Sequence, residues 1–342
     1  MKAAVYHTSK GLVVEEVPMP EITPDQVLIK VSNTGFCGSD HSIIEGEGTP
    51  DGLILGHEVS GVVVEPGSRV SGVSPGTRVM IRPTFCGECP ECRMGKTQLC
   101  SVDRYTLGIG GIGFQGGFAE YVKVLPQMLI PIPDGVDSQS AALAETFAVG
   151  LHAVNCVQKT SGSALIIGGG AIGQTLVRIL KLRGFGPVVV SEPVAEKRNI
   201  ALAYGADAVI DPLAENINYR MFELSGGRGS DIVFECSGIP AMVQASMDLA
   251  GKGATICVVS VINKDIEISP LTLTFKEIWL TAAYGNTHEE NKTCLQWMAE
   301  RRLDAAPMIS DRISLDELPE VYKNRIHTGQ ANKVMLQIGE EF

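Results

Sequence analysis

The chain has 342 residues, 44 % of them hydrophobic, with 38 glycines and a formal net charge of −11. That length allows two domains with sizeable cores, and the acidic balance argues against nucleic acid or an anionic membrane as partner. No apolar run approaches the ~18 residues of a membrane span, and the start, MKAAVYHTSK, lacks the apolar stretch of a signal peptide, so a cytoplasmic protein is expected.

The first part of the chain alternates short apolar runs with turn signals: VLIKV at 27–31, VVV at 62–64 and RVMI at 78–81, punctuated by Pro66-Gly67 and Pro75-Gly76. This predicts a mainly β region. Next come four cysteines within fifteen residues, Cys86, Cys89, Cys92 and Cys100, in FCGECPECRMGKTQLC. The spacing lets four thiolates converge on one tetrahedral ion, and Zn²⁺ suits a site closed by sulfur. With no open position, such a site is structural. An iron–sulfur centre or a redox dithiol pair is the alternative use of cysteines this close. Nine cysteines in all, an odd number without an export signal, favour metal and buried thiols over disulfides.

From Ser138 a helical run opens, SQSAALAETFAVGLHAVNCV, with Asp137 or Ser138 as its N-cap. A regular alternation follows: strand ALIIG (164–168), helix AIGQTLVRILKLRG, strand VVVS (188–191), helix VAEKRNIALAYG, then ADAVID, DIVFECSG and TICVVSV with helices between them. Successive βαβ units predict a doubly wound parallel sheet. From about Gly285 the chain holds an amphipathic helix, NKTCLQWMAERRL, and a closing strand, KVMLQI. Without a βαβ pattern of its own, this segment is expected to pack back on the first domain. The expected division is 1–137, completed by about 286–342, and 138–285.

Gly168, Gly170 and Gly173 form G-x-G-x-x-G between a strand and a helix. The first glycine permits the tight turn, the second lets a pyrophosphate approach the backbone, and the third lets helix pack on strand. Ala171 and Ile172 lie inside the motif. Glu192 ends the next strand, where a carboxylate can accept hydrogen bonds from the adenosine ribose and would repel a 2′-phosphate. NAD is therefore expected over NADP. Lys197 and Arg198 could accept a phosphate, but read more simply as a helix face, with Arg198 close to the cofactor. Cys236-Ser237, after a strand, and Val259 are further expected neighbours of the dinucleotide.

Cys37 in GFCGSD, His57-Glu58 in LGHEVSG and Glu145 in the helical run form a second candidate set. Singly, each reads as a buried thiol, a core histidine or a helix charge. Together, one thiolate, one imidazole and carboxylates match a catalytic zinc site with an open position.

With these motifs the chain resembles the zinc-dependent medium-chain dehydrogenases, of the alcohol, polyol, butanediol and threonine dehydrogenase branch. GFCGSD, LGHEVSG, the Cys86–Cys100 lobe, FQGGFAEYV, the Glu145 helix, LIIGGGAIG, FECSG and LTFKEI carry the resemblance over essentially the full length. It implies a mainly β GroES-like catalytic domain and a Rossmann nucleotide-binding domain of α/β class. It also implies one catalytic and one structural zinc per chain, NAD, and a homodimer or homotetramer formed through the nucleotide domain near 260–280. Cys37 and His57 would be ligands, with Glu58 and Glu145 direct or water-mediated ones. A carboxylate at 145 points to the polyol, butanediol and threonine enzymes, although Glu-Thr at 145–146 departs from the Glu-Pro common among polyol enzymes. Zinc would act as a Lewis acid on a secondary alcohol whose hydride passes to the nicotinamide.

Ser39 matches the family's proton-passing hydroxyl, and a turn-capping role is its alternative. Many relatives carry a relay histidine five residues after the first cysteine ligand. Here that position is Ser42, and His41 comes one residue early, rotated by ~100° on a helix. Either the proton leaves through Ser39, water and Glu58 or Glu145, or a local change reorients His41 as catalytic relay. Arg104, Tyr284 and Asn286 are candidate substrate-pocket residues. The rival readings are an NADPH-linked ketone reductase of the same fold and a non-catalytic NAD-binding protein.

Overall fold

The computed structural model describes residues 1–82, 85–102 and 115–342. They form two compact units, Met1–Glu145 with Asn286–Phe342, and Thr146–Gly285. The division falls within the long helix Ser138–Cys156, not at its start.

In the unit Thr146–Gly285 a six-stranded parallel sheet runs in the order Ala208–Ile210, Val188–Ser191, Ala164–Ile167, Ser230–Glu235, Ala250–Val258, Trp279–Ala282. Its central strands are runs such as ALII and VVVS, buried at every position. That is the pattern of parallel strands covered by helices on both faces. Strand order reverses beside Ala164–Ile167, whose neighbours on either side come later in the chain. Ligands of such sheets bind at this switch point, outside the strands' carboxyl ends. Gly168 leaves one central strand there and Cys236 the other.

In the other unit a seven-stranded sheet runs Ile309–Ser314, Lys333–Gln337, Val27–Phe36, Glu58–Pro66, Arg78–Ile81, Leu129–Pro131, with Tyr121–Val124 also paired to Val27–Phe36. The closing segment therefore adds two strands to the sheet begun by the N-terminal part. Register sets the later chemistry: Gly35 lies opposite Glu58, and Val334 opposite Phe36. A smaller sheet joins Gly11–Glu16, Lys2–His7 and Leu53–Ile54. Among the described residues no helix is long and apolar enough to cross a membrane.

Candidate metal centres and dinucleotide turn

The cysteine lobe is built locally. Cys89 precedes the short helix Pro90–Arg93, whose first position is proline, and Cys100 ends a 3₁₀ turn, Thr97–Leu99. Donor atoms of Cys86, Cys89, Cys92 and Cys100 all lie within 4.8 Å of one another. Cys86 and Cys92 Sγ are 4.0 Å apart, and Cys89 and Cys100 Sγ 3.9 Å. A single tetrahedral ion with Zn–S of ~2.3 Å has S···S edges of ~3.8 Å, so these residues fit a zinc ion. Backbone N–H groups of Glu88 and Cys89 donate to Cys86 Sγ at 3.3 and 3.2 Å, as suits a thiolate. A hydrogen bond from the Cys92 backbone carries the Cys89 thiol down to about 6, while burial pushes Cys92 up to about 12.

The second cluster is assembled from distant segments. Cys37 directly precedes the helix Gly38–Ile44. His57 and Glu58 enter the strand Glu58–Pro66. One donor atom from each of Cys37, His57 and Glu58 lies within 4.8 Å of the others. Asp40, fully buried, supports the set: its Oδ2 accepts from the Cys37 backbone N–H at 2.9 Å, and its Oδ1 lies 3.4 Å from His57 Nδ1. A carboxylate against Nδ1 leaves Nε2 for an ion, the usual outer support of a ligating imidazole. Burial lowers the His57 pKa, but Asp40 and Cys37 together raise it well above its ordinary value.

Glu58 Oε1 forms a 2.6 Å ion pair with Lys333 Nζ, both side chains being buried. Lys333 also donates to the Phe36 carbonyl at 3.3 Å. Burial lowers the Lys333 pKa, yet Glu58 and Cys37 outweigh it and raise it. Glu58 reaches this position only because residue 35 is glycine. A side chain there would overlap Glu58 Oε2.

Glu145 is buried and held from the far end of the chain. Asn286 Nδ2 donates to Glu145 Oε1 at 2.6 Å and to its carbonyl at 3.2 Å. Asn286 Oδ1 in turn accepts from Asn291 at 2.8 Å and from Arg82 Nε at 3.3 Å. Burial raises the Glu145 pKa; His57 opposes that and Glu58 adds to it, so the carboxyl lies within electrostatic reach of both. Arg82, pushed down to about 10 by burial, is attracted by Glu145 and by Cys92 and Cys100. One buried guanidinium thus feels both the Glu145 carboxyl and two thiols of the cysteine lobe.

The glycine turn has the geometry that its sequence demands. Gly168 has φ +100°, and a Cβ there would sit 2.9 Å from the Cys236 carbonyl carbon and the Ser237 nitrogen. A Cβ at Gly173 would overlap the Gly168 carbonyl, whereas at Gly170 it would face open space at the start of the helix Ala171–Leu182. That open backbone before a helix N-terminus fits a pyrophosphate. Glu192 is buried; its Oε2 accepts from Gly169 N–H at 2.8 Å and its Oε1 from Val194 N–H at 2.9 Å. Arg198 donates to the Glu192 and Pro193 carbonyls at 2.7 Å and pairs with Asp211 at 3.0 Å. Val259 continues from the strand Ala250–Val258, its N–H on the Glu235 carbonyl at 2.9 Å.

Against this geometry, residues 23–134 match the family model described as alcohol dehydrogenase GroES-like domain, and residues 171–300 the one described as zinc-binding dehydrogenase. An L-threonine 3-dehydrogenase of Rhizobium johnstonii is 30 % identical over 95 % of both chains. The chain belongs to the zinc-dependent medium-chain dehydrogenase superfamily. A sorbitol dehydrogenase of Bacillus subtilis is 29 % identical over 98 % of this chain and 97 % of its own. A candidate zinc-binding dehydrogenase of Sinorhizobium meliloti, solved bound to NADP, superposes with a TM-score of 0.88 at 34 % identity, covering 98 % of each chain.

Within this medium-chain dehydrogenase the structure brings Cys37, His57 and Glu58 together, with Glu145 electrostatically coupled to them. Ser39 is exposed in the first turn of the helix Gly38–Ile44. His41 is turned to the closing segment, its Nδ1 3.1 Å from the Tyr322 hydroxyl. Arg104 and the start of FQGGFAEYV lie outside the described residues. Sequence reading missed Lys333, Arg82, Gly35 and the support that Asp40 gives to Cys37 and His57. The one available signal was a lysine before the apolar run VML in the strand KVMLQ.

Proposed function

We propose that this dehydrogenase oxidises a secondary alcohol or polyol, or reduces the corresponding ketone, with NAD as hydride carrier. The convergence of Cys37, His57 and Glu58 donors, braced by Asp40 and Lys333, carries the reading. Cys37 and His57 would hold a zinc ion, with Glu58 and Glu145 as exchangeable carboxylates. When bound, zinc supplies Lewis acidity that favours loss of a carbinol proton, and the dinucleotide supplies the hydride acceptor. Asp40 fixes the imidazole tautomer. Lys333 compensates the Glu58 charge, and Asn286 holds Glu145 in place. Ser39, at the exposed start of its helix, passes the alcohol proton to solvent. With its ring engaged by Tyr322, His41 stands off that route.

A second zinc in the cysteine lobe is structural in this reading, since four sulfurs close the coordination shell. NAD is preferred because the Glu192 carboxylate, at the end of the strand Val188–Ser191, would repel a 2′-phosphate, and Arg198 is already committed to carbonyls and Asp211. The Sinorhizobium relative solved with NADP makes this the point to test. The edge strand Trp279–Ala282, with Phe275 and Trp279 each 75 % exposed, supports pairing with a second copy there.

The test is a coupled screen of secondary alcohols, diols, sugar alcohols and threonine against both dinucleotides, followed at the nicotinamide absorbance. Turnover of at least one secondary alcohol with NAD, abolished by a zinc chelator, is expected. Chelator-resistant turnover, or turnover with NADP alone, would overturn the corresponding part.

A further inference from the structure

We propose that His41, Glu45 and His327 form a third metal site, separate from both cysteine-containing clusters, for a divalent ion of the zinc class. One donor atom of each lies within 4.8 Å of the others. His327 Nδ1 is 3.4 Å from Glu45 Oε1. That is long for an N–H···O bond, but it matches the ~3.3 Å ligand–ligand edge around a tetrahedral ion with Zn–N and Zn–O of ~2.0–2.1 Å. Two imidazoles and one carboxylate, with room for water, are donors that zinc accepts.

The outer support is present as well. The Tyr322 O–H donates to Glu45 Oε1 at 2.7 Å, so its oxygen accepts from His41 Nδ1 at 3.1 Å. One phenol braces two of the three donors, as the outer partners of metal ligands do. The backbone is shaped to match. Residues five apart on an α-helix point ~140° from each other. Here Tyr322–Ile326 is a π-helical turn, closed by a hydrogen bond from the His327 N–H to the Tyr322 carbonyl at 2.8 Å. The wider turn brings both rings to one side, 6.1 Å apart, and sets His327 5.7 Å from His41 at 68° between ring planes. Such turns concentrate at functional sites. The Glu45 and His327 side chains are 47 % and 53 % exposed, so an ion reaches them from solvent.

Position gives the site a consequence. Helix Gly38–Ile44 holds Asp40 against His57, and the chain runs on from His327 to Lys333, the partner of Glu58. An ion shared by His41, Glu45 and His327 clamps together the two segments that brace the first cluster, so its binding modulates turnover by a few fold and leaves the cysteine lobe untouched.

The holoenzyme is dialysed against micromolar zinc and its metal content measured beside His327→Ala and Glu45→Gln. Wild type is expected to hold one equivalent per chain more than either variant, with folding checked by circular dichroism. The readout is a difference, so it stands whatever the wild-type total, and is separate from the alcohol-oxidation reading. Equal zinc content in all three proteins would overturn the proposal. So would a variant that loses the cobalt–thiolate charge-transfer band after cobalt substitution, since that band reports the cysteine-containing clusters.

Discussion

The two cysteine-containing clusters are made in opposite ways. The lobe of Cys86, Cys89, Cys92 and Cys100 draws every donor from fifteen consecutive residues, all but Cys92 partly exposed, with adjacent backbone N–H groups on the Cys86 sulfur. The cluster of Cys37, His57 and Glu58 draws on strands and helices far apart, with outer support from Asp40, Lys333 and, through Glu145, Asn286. The first needs only a local loop to close on an ion. The second needs the whole sheet in register, and of the two it alone mixes donor types. A closed shell built locally suits structure, and an adjustable shell built by the fold suits chemistry.

Breaking the distant cluster at a ligand should have the largest effect. Cys37→Ser is expected to lower kcat/KM by at least ~10³-fold, the loss of a Lewis acid worth several kcal/mol, while the melting temperature stays near wild type. Steady-state kinetics and a thermal melt check both halves.

Next comes its outer support. Lys333→Met removes the ion-pair partner of a buried carboxylate and should cost ~3 kcal/mol of stability together with ~10- to 100-fold in activity or metal affinity. In the double variant with Glu58→Gln stability should return and activity should not. If stability also stayed low, the pair would not be the cause.

A smaller, pH-dependent effect belongs to the local lobe. His288 packs on Phe85 at 5.6 Å, and its backbone N–H donates to Thr97 Oγ1. Burial lowers its pKa from 6.5 to about 4. Between those values the unfolded chain binds more protons, so stability rises with pH across the window and is lost on acidification through it. Solvent screening of the partly exposed ring discounts that shift, leaving ~1–2 kcal/mol in total. His288→Gln should flatten that part of the stability–pH curve in urea titrations.

The smallest effect is expected at His41. With its ring on Tyr322, His41→Ala should leave the pH–rate profile in place, apart from the few-fold change that follows loss of the third metal site. A displaced acidic limb would restore His41 to the proton route.

What the sequence revealed and what it concealed follow the same contrast. The cysteine spacing, the glycine turn and the βαβ alternation are local patterns, and each is legible from residues close together in the chain. Cys37, His57 and Glu145 could be named from their motifs, but not the reason that Glu58 can reach the cluster. That reason is a missing side chain at Gly35, across a strand register that no spacing encodes. Lys333 lies 275 residues from Glu58, Asn286 141 from Glu145 and Arg82 204 from Asn286, so the buried electrostatics had no local signature. The early position of His41 was visible as an offset; that its ring turns to Tyr322 was not, because Tyr322 reaches it from the far end of the chain.

Zinc content of Cys89→Ala measured beside Cys37→Ser tests the division of labour most directly. Cys89→Ala should lose the lobe's zinc and roughly 10 °C of melting temperature while the folded fraction keeps the other zinc and measurable turnover. Cys37→Ser should keep the lobe's zinc and its stability and lose turnover. A folded Cys89→Ala protein that retained its lobe zinc and lost only the ion at Cys37 and His57 would contradict the account.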